Sequence, residues 1–197
     1  MINTNIILKQ GYKPLILLLV LAVILELFIS SFFSNIVLIL FLFTLSIYRN
    51  PYRHIFENSK SLLSPIDGKI IAIDYTNGKQ KIYCKVNLCN NHILRAPQNG
   101  DIKIKKYQHG LNLNPNSYKA NILNEQIVIK FDNLKLKLIS GICNRKIEYV
   151  DKEYAKQGEN IGLFLDGIAV MTVKKEYLLM VKIGDKLIAG QTIIFKK

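Results

Sequence analysis

Cysteine is scarce here: Cys84, Cys89 and Cys143 make an odd set with no CxxC spacing. That set excludes a disulfide framework and a cysteine zinc site. It leaves reduced thiols packed as small apolar side chains in a reducing compartment. Acidic residues are also few, 14 against 27 Lys and Arg, for a formal net charge of +13. Charge of either sign is nearly missing from Leu15 to Tyr48, where only Glu26 carries it. Before Arg49 the ionised side chains are Lys9, Lys13 and Glu26, so the remainder holds 25 basic and 13 acidic residues. A net +12 there favours an anionic partner. With an apolar anchor in the same chain, an anionic phospholipid surface is expected, and no nucleic acid, for which no recognition motif is present.

The uncharged stretch reads as a membrane anchor over residues 1–50. Leu15–Phe33 is nineteen residues, close to the roughly 20 that cross a bilayer core as a helix. Ser34-Asn35 suggests a turn, and thirteen further apolar residues end at Tyr48. Lys9 and Lys13 precede the pair of runs, and Arg49 and Arg53 follow it. Positive charge at both outer ends predicts a helical hairpin in the inner (cytoplasmic) membrane, with the soluble part on the cytoplasmic side. Glu26 is then expected to be neutral or to face the other helix. A cleaved signal peptide fits poorly, because no small-x-small site follows and more apolar sequence does.

Residues 51–63 read as a linker and 64–197 as one β domain. No stretch beyond Arg53 keeps a helical period for more than about three turns. Strands are instead expected at Lys69–Tyr75, Lys81–Val86, Gly100–Tyr107, Gln126–Phe131, Leu134–Ile139, Asn144–Val150, Gly162–Lys174, Tyr177–Ile183 and Gln191–Phe195. Asp67-Gly68, Asn77-Gly78, Asn99-Gly100 and Asp132-Asn133 supply turns. Leu123–Glu125 and Lys152–Lys156 are the expected irregular or helical interruptions. The fold class is mainly β, a sandwich or barrel-like domain after the helical hairpin. The closing segment VKIGDKLIAGQTIIF turns at Gly184-Asp185 and again at Gly190. It resembles the hammerhead turns of biotinyl- and lipoyl-like domains, where tight reversals demand positive φ.

Six segments, in order, resemble the small, membrane-anchored type of phosphatidylserine decarboxylase. YRNPYR (Tyr48–Arg53) is similar to FRDPxR, SPIDGK (Ser64–Lys69) to SPADGK, and NHILRAP (Asn91–Pro97) to VHVNRAP. ILNEQ (Ile122–Gln126) resembles the NER segment, SGICNRKI (Ser140–Ile147) AGxxARRI, and GLFLDGIAV (Gly162–Val170) GxIxFGSRV. The resemblance implies a pyruvoyl enzyme that decarboxylates phosphatidylserine to phosphatidylethanolamine. In that family the serine of a Gly-Ser pair attacks the preceding glycine carbonyl to give an ester; β-elimination breaks the chain and leaves a dehydroalanine, which water hydrolyses to the pyruvoyl ketone with loss of ammonia. By the same resemblance Asp67 is the base for self-cleavage, His92 assists at the substrate, and Arg95 meets a phosphate or carboxylate. Read from the residues alone, the structural readings lead for Asp67, as the holder of a turn, and for His92, as a satisfied core histidine; Arg95 equally joins a structural ion pair.

One position departs from the pattern. Gly167 is followed by Ile168 where the family has serine, and Ala169 stands at the neighbouring arginine. None of the eleven glycines precedes Ser, Thr or Cys. Isoleucine has no hydroxyl, so no pyruvoyl cofactor is expected, and no metal. The expected function is therefore a decarboxylase-related membrane protein of phospholipid metabolism that does not make its own prosthetic group, bound to anionic phospholipid such as phosphatidylserine. Two alternatives stand beside it. One is an active decarboxylase whose prosthetic group comes from a partner chain, in a homo- or hetero-oligomer with a homologue. The other is a non-enzymatic lipid-binding or interaction module.

Overall fold

The computed structural model describes residues 7–55, 58, 60–143 and 146–197. Phe56, Glu57 and Ser59 of the expected linker lie outside the described residues. So do Asn144 and Arg145 of SGICNRKI and of the expected strand Asn144–Val150. The chain divides into two compact units, Met1–Tyr52 and Arg53–Lys197.

The first unit is two helices, α1 (Tyr12–Phe28) and α2 (Ser31–Ile47). Both are apolar on every side, and most of their large apolar side chains are exposed, Leu17 and Phe28 among them. A helix apolar all round has no water-facing stripe. Lys9–Phe28 is 20 residues with mean hydropathy 2.1, long and apolar enough to cross a membrane by length and composition; α2 is shorter. The chain breaks at Ile29-Ser30, whereas the sequence suggested Ser34-Asn35. Ser30 takes an extended backbone and its hydroxyl accepts from the Phe32 N–H, an N-cap that starts α2 five residues earlier. Ser34 sits inside α2 and donates to the Ala22 carbonyl of α1 at 3.0 Å, while Ser31 donates to the Glu26 carboxylate at 2.9 Å.

The second unit is mainly β and holds several sheets. Its strands are β1 (Ser61–Leu63), β2 (Gly68–Thr76), β3 (Lys79–Val86), β4 (Ile93–Arg95), β5 (Gly100–Asp101) and β6 (Lys103–Gln108). One helical turn, α3 (Ala120–Leu123), precedes β7 (Gln126–Lys130), β8 (Lys135–Ser140), β9 (Glu148–Tyr149), β10 (Tyr154–Ala155) and β11 (Asn160–Leu163). Then come β12 (Gly167–Lys174), β13 (Leu178–Leu179), β14 (Lys186–Leu187) and β15 (Ile193–Lys196). The largest sheet has seven strands in the order β14-β2-β3-β12-β8-β7-β6. Smaller sheets join β1-β15-β13, β4-β11-β9 and β10-β5.

β12 is the central strand of the large sheet, and its sequence shows why. Ala169, Met171 and Val173 enter the main core, while Ile168 and Val170 pack with Ile139 and Tyr83 on the opposite face. A strand apolar on both faces suits only an interior position. β2 and β3 form a hairpin over Asn77-Gly78, both at positive φ, the type I′ geometry that matches strand twist.

Several expected elements came out differently. Gly162–Lys174 is two strands in two sheets, not one, because Phe164–Asp166 carries the chain across and Gly167 bends it at φ +137°. Gly100–Tyr107 likewise splits around Ile102, whose N–H bonds to the Glu153 carbonyl instead of a ladder partner. The expected interruption at Lys152–Lys156 contains β10, which edges against β5. Only Leu178–Leu179 of the expected Tyr177–Ile183 pairs as a strand.

Candidate functional site

Three of the quoted segments meet at their backbones. Ser64 of SPIDGK donates its N–H to Thr192 and accepts from the Gly190 N–H, both at 2.8 Å. Arg95 of NHILRAP donates its N–H to the Pro65 carbonyl at 2.8 Å. These bonds hold Asp67, Arg95 and the Ala189-Gly190 turn in one place. Gly190 is at φ +75°, and a Cβ there would lie 3.0 Å from Arg95 Cδ, so both backbone and space favour glycine.

Arg53, from the end of YRNPYR, completes the cluster. Its guanidinium grips Asp67 through two bonds, Nη1 to Oδ1 at 2.6 Å and Nη2 to Oδ2 at 2.7 Å. Nη1 also donates to the Ala189 carbonyl, and the Ala189 N–H donates back to Asp67 Oδ1, each at 2.7 Å. The backbone of one residue thus bonds both members of a largely buried ion pair. Arg95 donates from Nη1 to the Gly158 carbonyl at 3.0 Å. Burial first, and then the nearby positive charge of Arg53, lowers the Arg95 pKa, with Asp67 working the other way. Among the described side chains, the cluster sets the guanidiniums of Arg53 and Arg95 around the carboxylate of Asp67.

His92 is fully buried just before β4. Its Nε2 lies 3.0 Å from the Leu88 carbonyl, which only accepts, so Nε2 carries the hydrogen. Its own carbonyl accepts from the Phe164 N–H at 2.9 Å. β4 pairs with β11, so NHILRAP lies alongside the start of GLFLDGIAV, whose continuation reaches Gly167-Ile168. Asp67, expected as the self-cleavage base, and His92, expected to assist at the substrate, have different described bonds: Asp67 to Arg53 and Ala189, His92 to Leu88 and Phe164.

Gly167 and Ile168 open β12. At φ +137°, a Cβ on Gly167 would collide with the Ile139 carbonyl oxygen and come within 2.9 Å of the Gly141 nitrogen and the Phe164 ring. Ile168 pairs with Lys85 on one side and Ile139 on the other, and is 9 % exposed. Its hydrocarbon packs; it offers no heteroatom.

Sequence reading missed Arg53 as a site residue, taking it only as a flank of the anchor. The signal was present, since Arg53 ends the YRNPYR motif. Glu125 of ILNEQ was also passed over. This buried carboxylate accepts from the Tyr107 hydroxyl and from the Ile147 N–H, bracing the segment after SGIC. Burial and that carboxylate push the Tyr107 pKa up to about 12. Cys84 is likewise pushed up to about 12, by burial and then by Asp67, which makes it a packed thiol and not a nucleophile. Among the described residues no group of three or more His, Cys, Asp or Glu could hold a metal ion.

Comparison with known proteins bears on this arrangement. The family model "Phosphatidylserine decarboxylase" matches residues 40–195. A phosphatidylserine decarboxylase proenzyme of Pelagibacter ubique is 28% identical over 96% of this chain and 95% of its own. One of Syntrophus aciditrophicus is 30% identical over 77% of this chain and 78% of its own. A putative archaetidylserine decarboxylase proenzyme of Methanosarcina mazei is 29% identical, covering 83% and 80%. No solved structure matches the chain. With the matched region spanning every segment of the cluster, the chain belongs to the phosphatidylserine decarboxylase family.

Proposed function

We propose that this chain is a membrane-anchored member of the family that does not form its own pyruvoyl group, and acts in phosphatidylethanolamine metabolism through lipid binding. The observation that carries the reading is the Gly167-Ile168 pair in β12. Pyruvoyl formation needs a side-chain oxygen or sulfur on the residue after the glycine, and Ile168 has only carbon there. The residues present do not fit the group, so no step is routed through it. The guanidiniums of Arg53 and Arg95, gathered beside the closing turn, support recognition of an anionic head group such as phosphatidylserine. The apolar, mostly exposed α1 and α2 support insertion in the cytoplasmic membrane, and the charged flanks Lys9, Lys13, Arg49 and Arg53 support a cytoplasmic β domain. The positive φ of Gly184 and Gly190 supports the lipoyl-like hammerhead reading of the last strands.

Denaturing electrophoresis with intact-mass analysis tests the proposal. One unbroken chain near 22.6 kDa is expected. Two fragments, the smaller starting at residue 168 with a blocked N-terminus, would overturn it. Carbon dioxide release from phosphatidylserine vesicles, expected at background with the purified chain, is the second check.

A further inference from the structure

The basic excess of the β unit is concentrated on one face of the large sheet. Directly opposed residues on adjacent strands point to the same side, so the ladder pairings define this face. Lys135 of β8 opposes Lys130 of β7, and Lys130 opposes Lys103 of β6, three lysines abreast. In the next row Lys137 opposes Val128, which opposes Lys106. Towards the other edge Lys81 follows across Thr172. The only carboxylate among the paired positions of this face is Asp74, 3.7 Å from Lys81. The lysines of β6, β7 and β8 have no described ion pair, and all but half-buried Lys137 are exposed. The Lys137 pKa is lowered by burial, then by Lys106 and Lys135, which places the three charges within mutual reach.

Like charges set directly opposite each other weaken a sheet. A row of three works against the fold, and a counter-charge supplied from outside would relieve it. We infer that this lysine face is a docking surface for the anionic head-group plane of a lipid bilayer. Two features favour lipid over nucleic acid. The charges are all lysine, although the chain has four arginines, and lysine is a point charge without the planar fork that reads bases or clamps single phosphates. The face is also a broad sheet whose central apolar side chains, Ile139, Ile168 and Val170, are themselves buried, so it offers charge over an area and no row of exposed aromatics for stacking bases. This deepens the membrane part of the function proposed above and is independent of Ile168 chemistry.

The test uses the full chain with vesicles of phosphatidylcholine alone or mixed with anionic phosphatidylglycerol. Flotation reports attachment, and amine-reactive labelling read by mass spectrometry reports each lysine. Each basic residue near an anionic surface strengthens docking by about fivefold. Lys103, Lys106, Lys130 and Lys135 should therefore label several-fold more slowly on anionic than on neutral vesicles, with Lys152 and Lys156 unchanged. High salt should erase the difference. A K130Q/K135Q/K137Q chain should lose roughly a hundredfold in docking, seen as restored labelling of Lys103 and Lys106. Flotation on both vesicles with equal labelling would overturn the lysine face while leaving the anchor. Flotation on neither would overturn both, and flotation on anionic vesicles only would support the face alone. Stronger protection by duplex DNA than by anionic vesicles at the same salt would replace lipid with nucleic acid and overturn the proposal.

Discussion

Ile168→Ala is the substitution that asks whether this position now serves packing. The side chain sits at the start of the central strand, buried against Ile139, Val170 and Tyr83. Truncation removes three carbons, about 2.4 kcal/mol at roughly 0.8 kcal/mol per buried methylene. A cavity adds to this, and measured Ile→Ala losses run about 2–5 kcal/mol. The cluster is small and lies on the lysine face, away from the main core, so neighbours such as Tyr83 have room to settle. About 3 kcal/mol is expected. At about 2–4 °C per kcal/mol for a chain of this size, the transition should fall by about 6–12 °C. Thermal unfolding followed by tyrosine near-ultraviolet dichroism, to which Tyr83 contributes among ten tyrosines, is the assay. A shift within about 1 °C would refute the packing role and with it the reason given for a hydrocarbon there.

Ile168→Ser supplies the missing hydroxyl while Gly167 keeps its backbone. A C-terminal fragment beginning at residue 168 is expected by mass, and a chain that stays whole would mean more than the hydroxyl is absent. Gly167→Ala should lower soluble yield severely, by collision with the Ile139 carbonyl as well as by strained φ. Gly184→Ala, at φ +95° with nothing within 4 Å, should cost only about 1–3 kcal/mol of strain. Arg53→Met leaves Asp67 in a largely buried site without its partner, and denaturant titration should find a loss of about 3 kcal/mol. In the native chain a thiol reagent at mild alkaline pH should modify exposed Cys89 and Cys143 but spare Cys84. Because the folded Cys84 pKa is raised from 9.0 to about 12, its contribution to stability is full below pH 9 and is lost as pH climbs towards 12. Lys130→Gln should raise stability by about 0.5 kcal/mol, since it relieves two like-charge pairs.

The long strands were legible because their alternation is strong: Lys81–Val86 and Gln126–Phe131 needed no tertiary information. The two-residue strands β10 and β14 were not, since so short a segment has no period to read. The split between β11 and β12 hides in the φ of one glycine, and the α1–α2 break in the choice between two serines as cap. Asp67, His92, Arg95 and Ile168 were singled out through motif resemblance, and of these the described bonds gather Asp67 and Arg95 beside the Ala189-Gly190 turn. Arg53 was not, although it ends YRNPYR, because it also flanks the anchor; its bond to the Ala189 carbonyl, 136 residues away, is set only by folding. The basic excess was plain in the composition, but its confinement to one face depends on strand register. No count of lysines contains that.

The matching and mismatching positions of the family pattern now separate by physical role. Asp67 and Arg53 bind each other and the Ala189 peptide, so losing either would unpair a charge and free a turn of the closing segment. His92 fills a buried place and ties β4 to Phe164. Gly167 has no room for a Cβ. Asp67, Arg53 and Gly167 thus have structural duties whether or not the chain reacts with anything, and the His92 ring is buried against the Leu88 carbonyl. The hydroxyl at 168 has no such duty, since isoleucine packs there among apolar neighbours. Keeping the motifs is therefore weak support for retained chemistry, because packing alone preserves them. Position 168 is the one place where this chain's residue lacks the atom the chemistry needs. The proposal therefore rests on Ile168 and gives little weight to the motifs that match.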